Sequence, residues 1–297
     1  MRTRSLRATG SALVLAALVS IGCARVSGGT AGPDPDDRIA HPVGSDELVL
    51  RIEFVGGYVP ESVALSSIPT VSLYGDGRVV TQGPQIEIYP GPALPNLLLR
   101  DVTEEGVQAI LRAARDAGLS GPDRRFDVAG VADAHFTVFT VVTAGGLHVT
   151  HAYGLGIGEV DAELASGDRE ARRRLSRFLE DMTNLSAWLP DGSVGEERMY
   201  GAAAIRMLVS EDGPTRDEAF EQEPVDWPLR ASLSSILQPV ENSQWLCASV
   251  DGEQADRVVA AARRANELTP WRSDGRIYGI VFRPLLPDER GCEGVGF

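Results

Sequence analysis

Leu97-Leu98-Leu99-Arg100-Asp101-Val102-Thr103-Glu104-Glu105-Gly106-Val107-Gln108-Ala109-Ile110-Leu111-Arg112-Ala113-Ala114-Arg115-Asp116-Ala117-Gly118 changes its hydrophobic period partway along. Leu97 to Val102 reads as a strand. From Thr103 the pattern becomes helical, with Val107, Ile110, Leu111 and Ala114 striping one face. Thr103 offers its hydroxyl to the free amides of the first turn, and Glu104 and Glu105 place negative charge against the positive helix end. Gly118 fits the stop, because it tolerates the left-handed conformation that ends many helices. A strand running straight into an amphipathic helix predicts a mixed architecture in which helices cover sheets.

A second stretch has the same character. Val250-Asp251 aligns with Val102-Thr103, Glu253 with Glu105, Val258-Val259 with Ile110-Leu111, and Ala261-Ala262-Arg263 with Ala113-Ala114-Arg115. Asp251 and Gln254 form a capping-box pattern ahead of Val258, Val259, Ala262 and Ala265. Either a strand–helix–strand unit is duplicated, or two Ala/Arg-rich amphipathic helices coincide.

Around these units the strand signals pair into hairpins. Leu48, Leu50, Ile52 and Phe54 alternate with Val49, Arg51, Glu53 and Val55 as a half-buried strand. Thr70–Tyr74 and Arg78–Thr81 flank Gly75-Asp76-Gly77, where glycine supplies the positive φ of the turn. Ile86 and Ile88 suggest a short strand before the rigid Tyr89-Pro90-Gly91-Pro92-Ala93-Leu94-Pro95 loop. His135–Thr143 and Leu147–Tyr153 flank a turn at Gly145-Gly146. Asp168 would cap a longer helix with Ala171, Leu175, Phe178, Leu179, Met182 and Leu185 on its buried side. Ala203–Val209, Gln244–Val250 and Gly275–Phe282 are the later strands.

The fold expected is therefore α+β, with mostly antiparallel sheets and packed amphipathic helices in two related or packed halves. Its divisions would be a signal peptide at 1–22, a cysteine and flexible spacer at 23–46, an α+β domain at 47–190, and a second domain or half at 198–297. The spacer rests on Gly28-Gly29 and Gly32-Pro33-Asp34-Pro35-Asp36-Asp37, which lack apolar periodicity.

At the N-terminus, Arg2, Arg4 and Arg7 precede an uncharged, mostly apolar run ending Val19-Ser20-Ile21-Gly22-Cys23. That is the order of a bacterial secretory signal peptide. A cysteine directly after the small residue resembles the lipobox of bacterial lipoproteins, although Ser20 stands where leucine is usual. The resemblance implies acylation of Cys23 and attachment to the outer face of the cell membrane; cleavage after Ala24 without lipid, and an uncleaved N-terminal anchor, are the alternatives. Three cysteines occur, so lipid on Cys23 leaves Cys247 and Cys292 as an even pair in an exported chain. A disulfide between them would contribute roughly 4 kcal/mol in the chain-entropy picture.

The net charge is −14, and cleavage would remove three arginines and no acid. Such a chain repels nucleic acid and anionic headgroups, which makes the lipid its membrane contact. No lysine occurs, which excludes Schiff-base, P-loop and Ser-Lys chemistry. Gly-x-Ser-x-Gly is absent; Asp191-Gly192-Ser193-Val194-Gly195 lacks the first glycine. His135, His148 and His151 share one hairpin without metal-ligand spacing, and His41 falls in the spacer. Gly154-Leu155-Gly156-Ile157-Gly158 carries Glu159 in place of the last glycine of a dinucleotide loop and reads as a turn. No catalytic residue, metal site or cofactor is expected. Arg169, Arg172, Arg173, Arg174 and Arg177 form a basic helix face neutralised by Glu170, Glu180 and Asp181.

Leu73-Tyr74-Gly75-Asp76-Gly77-Arg78, Tyr89-Pro90-Gly91-Pro92 and Phe282-Arg283-Pro284-Leu285-Leu286-Pro287-Asp288-Glu289 together resemble uncharacterised exported lipoproteins of actinobacteria. The resemblance spans most of residues 48–292 and implies no activity. The function expected is a non-enzymatic cell-envelope lipoprotein that binds an envelope protein or a small ligand. A cell-wall hydrolase using carboxylates, and a secreted inhibitor or sensor presenting the proline-rich loop, are the alternatives.

Overall fold

Local hydrogen bonding fixes the opening stretch as its sequence dictates. The computed structural model describes residues 38–157, 164–214, 217 and 220–295. The leader, Cys23 and the first part of the spacer lie outside these residues, as do Gly158 and Glu159. In chain order the first elements are β1 (Leu48–Gly56), α1 (Glu61–Leu65), β2 (Val71–Tyr74), β3 (Arg78–Gln82), β4 (Leu97–Asp101) and α2 (Glu104–Ala117). The Thr103 hydroxyl accepts from the Gly106 amide, and Gly118 ends α2 at φ 90°. Then come β5 (Arg124–Phe126), β6 (His135–Thr143), β7 (Gly146–Tyr153), α3 (Ser166–Thr183) and β8 (Arg198–Met199). The chain closes with β9 (Ala204–Ser210), β10 (Val225–Asp226), β11 (Gln238–Pro239), β12 (Leu246–Asp251), α4 (Gly252–Ala262), β13 (Trp271–Ser273) and β14 (Arg276–Pro284).

These strands make two sheets, mixed but mostly antiparallel, so the fold is α+β. The first has eight strands in the order β5-β7-β6-β1-β2-β3-β4-β8, and the second six in the order β10-β13-β14-β9-β12-β11. Val107, Ile110, Leu111 and Ala114 of α2 and Ala171, Leu175, Phe178 and Met182 of α3 are buried on one face of the first sheet, against Leu50, Ile52, Leu73 and Phe139. α4 covers the second sheet with Ala255, Val258, Ala261 and Ala262. In both sheets an outer strand pairs in parallel, β5 with β7 and β10 with β13. The strand orders differ, however. Two strands, β2 and β3, lie between β1 and β4, the strand that leads into α2, whereas β12, the strand that leads into α4, lies directly against β9. The sequence match between the halves thus stops at the strand–helix unit.

Several expectations give way to packing. Ile86 and Ile88 form no strand and are exposed. α3 begins two residues before Asp168, after Ala165, and Asp251 precedes α4 without a side-chain capping bond. Gly146 belongs to β7, paired with Thr143, so the turn is Ala144-Gly145. Of the two turn glycines, only Gly77 has positive φ, at 84°. A Cβ on Gly75 would fall 2.6 Å from the Val43 carbonyl carbon, so Gly75 serves a close approach instead.

That approach marks a further difference. Residues 39–46 belong to the folded unit rather than to a spacer. The Ile39 amide and carbonyl both bond the Gln108 side chain at 2.8 Å, and His41 reaches the Pro42 carbonyl and Glu104. The 190–197 boundary is also structural: Val102 bridges Val194, and β8 pairs with β4. Arg198 and Met199 therefore complete the first sheet. The chain passes to the second sheet between Tyr200 and Ala204.

Candidate functional site

β1 carries Arg51 and Glu53 on the face of the first sheet opposite α2, and β9 and β14 place Arg206 and Arg283 directly opposite each other in register. Like charges so paired repel. The chain answers with its C-terminal segment. Glu289 accepts two bonds from Arg283, each 2.6 Å, and one from the Leu286 amide at 2.8 Å. Arg206 donates to the carbonyls of Gly291 at 2.7 Å and Glu293 at 2.9 Å. Arg51 donates to Asp288 at 2.8 Å, and the Tyr74 hydroxyl donates to the same Asp288 oxygen at 2.8 Å. One short segment thereby ties both sheets together. The sulfurs of Cys247 and Cys292 lie at disulfide distance, 2.06 Å, and hold that segment to β12.

Beside this ionic layer opens a cleft of about 1280 Å³. β1, the loop after it and α1 form one wall, and residues 288–295 form the other. Phe54, Val55, Tyr58, Val59 and Val63 are exposed around β1 and α1. Phe54, expected in the alternating core, is exposed and packs at a tilt against His135 with ring centroids 4.5 Å apart.

Glu53 differs from the other charged residues of this layer. It is partly buried on the cleft wall and makes no hydrogen bond or ion pair with a described residue. Burial raises its pKa, and the nearby Glu289 and Asp288 charges add to this, against the pull of Arg51 and Arg283. Glu289 goes the other way. Burial alone would raise it, but the Arg283 hydrogen bonds and charge outweigh burial and hold it below the usual carboxylate range. Burial lowers Arg206, and the facing Arg283 lowers it further. Burial and Asp288 push the Tyr74 hydroxyl far up, so it stays a donor.

A raised carboxyl is a destabilising feature with a definite sign. The folded state favours protonated Glu53, so stability is greatest below the ordinary carboxylate pKa and falls as pH rises through the raised value. Glu53→Gln, which removes the charge and keeps the shape, should therefore raise the melting temperature at pH 7.5 and change it little at pH 3.5. Thermal unfolding at both pH values checks this.

Other residues singled out in the sequence are absorbed by the fold. Arg172 is fully buried, donating to the carbonyls of Tyr153 and Gly154, so it belongs to no basic surface. The Arg173 and Arg174 side chains pair with Glu170. The Pro90–Pro95 loop spends its backbone internally, through Ala93 to Ala265 and Glu267 to Gly91. Trp227 and Trp271 meet edge to face inside the second core. His135, His148 and His151 do not converge, and the described residues contain no cluster of His, Cys, Asp and Glu placed to hold a metal ion. No helix among them is long and apolar enough to cross a membrane.

Sequence reading missed the cleft. Glu53 looked like the solvent-facing member of an alternating strand, and no local pattern joins it to Arg206, Arg283 or Asp288. The nearest signal was the Asp288-Glu289-Arg290 run after a proline-rich turn. Comparison with known protein families, curated proteins and solved structures finds no match to this chain.

Proposed function

We propose that the protein is an extracytoplasmic lipoprotein, anchored through Cys23, that binds a partner or ligand in the cleft beside Glu53. The observation that carries the binding reading is Glu53 itself. A carboxyl held partly out of water with no described residue bonded to it works against stability, and such groups concentrate where a ligand completes them. Its setting supports the reading, because the β-sheet and the bridged C-terminal segment hold the cleft walls in place. The hydrolase alternative finds less support, because the carboxylates nearest Glu53 are already engaged. Glu289 and Asp288, the two whose charge Glu53 feels, are already bonded to Arg283 and to Arg51 with Tyr74.

Two measurements test the two parts. Metabolic palmitate labelling should depend on Cys23 and vanish in Cys23→Ser; labelling that persists removes the anchor. A photo-crosslinking residue at Tyr58, on the exposed rim, should capture a defined adduct in intact envelopes, and one at Arg112 on the outer side of α2 should not. Equal capture at both positions, or none at Tyr58, removes the cleft as a binding site.

A further inference from the structure

Backbone pairing along β1 is lopsided. Its partner β6 pairs as far as Gly56, but on the other side β2 stops at Ile52. Glu53, Phe54, Val55 and Gly56 therefore have a strand on one side only. In an antiparallel pair, successive residues direct their amide and carbonyl groups to opposite sides. Two of these four residues consequently aim both groups at the open side. No loop or cap hydrogen bond among the described residues uses them.

Exposed edges are normally blunted by lysine, proline or a bulge, because they template pairing with other chains. This one runs Glu53-Phe54-Val55-Gly56-Gly57, with two apolar side chains exposed and nothing within 4 Å of the space a Cβ on Gly56 would occupy. Val59 and Val63, both exposed, continue the apolar surface along the cleft lining.

Charge selects the kind of chain that would fit. Every arginine lining the cleft is engaged: Arg51 with Asp288, Arg283 with Glu289, Arg206 with two carbonyls, and Arg290 with Asp46. Left over on the cleft wall are Glu53, Glu61 and Glu293, whose carboxylates bond to no described residue. A second copy of this acidic chain would bring the same carboxylates against them and be repelled.

We propose that the open edge of β1 at Glu53–Gly56 takes up an extended, basic peptide segment of a partner protein as an added strand. The proposal rests on the cleft being a binding site, and gives that site its ligand. Main-chain bonds to the edge would supply affinity. Alternate side chains would meet the Phe54–Val63 surface and the Glu53 carboxylate, which sets the preference for a positive charge.

The test uses the full oxidised chain and fluorescein-labelled Val-Lys-Val-Lys-Val, followed by anisotropy at low salt. Saturable binding is expected, with Val-Glu-Val-Glu-Val inert and affinity about tenfold weaker for Glu53→Gln, as loss of a charge-assisted bond implies. Two N-methylated peptides, blocked at alternate sets of amides, give the decisive contrast: one register should lose binding and the other keep it. Equal effects of the two registers would show attraction without strand addition and overturn the proposal. Indifference to Glu53→Gln, or no binding, would overturn it as well. If the Tyr58 crosslink still captures a small molecule, the binding site stands without the peptide; if it captures nothing, both readings fall.

Discussion

Arg283→Ala, or Glu289→Ala, is expected to lower folding stability by about 3–5 kcal/mol, which is the usual effect of stranding one member of a buried ion pair. The two side chains are only 6% and 15% exposed. Removing Glu289 would leave Arg283 facing Arg206 without its hydrogen-bonded counterion. Removing Arg283 would leave Glu289 with only its Leu286 amide bond and would free the Ser67 carbonyl that Arg283 also engages at 2.9 Å. Replacing both partners by apolar residues of similar size should be much milder, because neither charge is then stranded. Denaturant melts of the two single variants and the double variant measure the difference; equal losses in all three would contradict the argument. Acid should act as the single variant does. The folded state holds Glu289 below the usual range, so its contribution is complete above the ordinary carboxylate pKa and disappears as pH falls through the lowered value.

Cys292→Ser is expected to produce a loss of comparable size, roughly 4 kcal/mol in the loop-entropy picture for the 45-residue separation. The effect should be local as well as global. Residues 288–293 supply the bonds to Arg51, Tyr74, Arg206 and Arg283, so freeing their anchor should expose the cleft floor before the helical cores. Hydrogen exchange on oxidised and reduced protein separates the two. Faster exchange confined to the C-terminal segment and the ends of β9 and β14 is expected at mild reduction, while α2 stays protected. Uniform acceleration would mean that the bridge supports the whole fold instead of this wall.

What could be read in advance divides along sequence separation. α2, its cap and its glycine stop were legible because the interactions that define them lie within four residues. The hairpins at Gly75–Gly77 and after Thr143 were legible for the same reason. The helix at Glu61–Leu65 was missed: five residues carry too little periodicity to register. Ile86 and Ile88 failed in the opposite sense, since a strand-like pattern needs a neighbour and Gly83 instead bonds the Asn96 carbonyl across the loop. The cleft lay furthest out of reach. Arg51 and Asp288 are 237 positions apart, and nothing in either neighbourhood names the other. The cysteine pair was the one long-range contact that composition could suggest, because counting thiols needs no geometry.

The double attachment of residues 288–289 has a consequence for how the molecule comes into being. The open face of the eight-stranded sheet meets a segment whose Asp288 lies 237 positions beyond Arg51, so no intermediate lacking that segment can give Arg51 and Tyr74 their carboxylate. Contacts of such span close slowly, because the chain must lose the entropy of a very long loop before any bond rewards it. Until then the first sheet has one finished face, under its helices, and one unfinished face carrying buried-to-be charge. A chain emerging from its N-terminus would thus wait, half assembled, for this distant segment. Its arrival joins the sheets and builds the cleft wall in the same event.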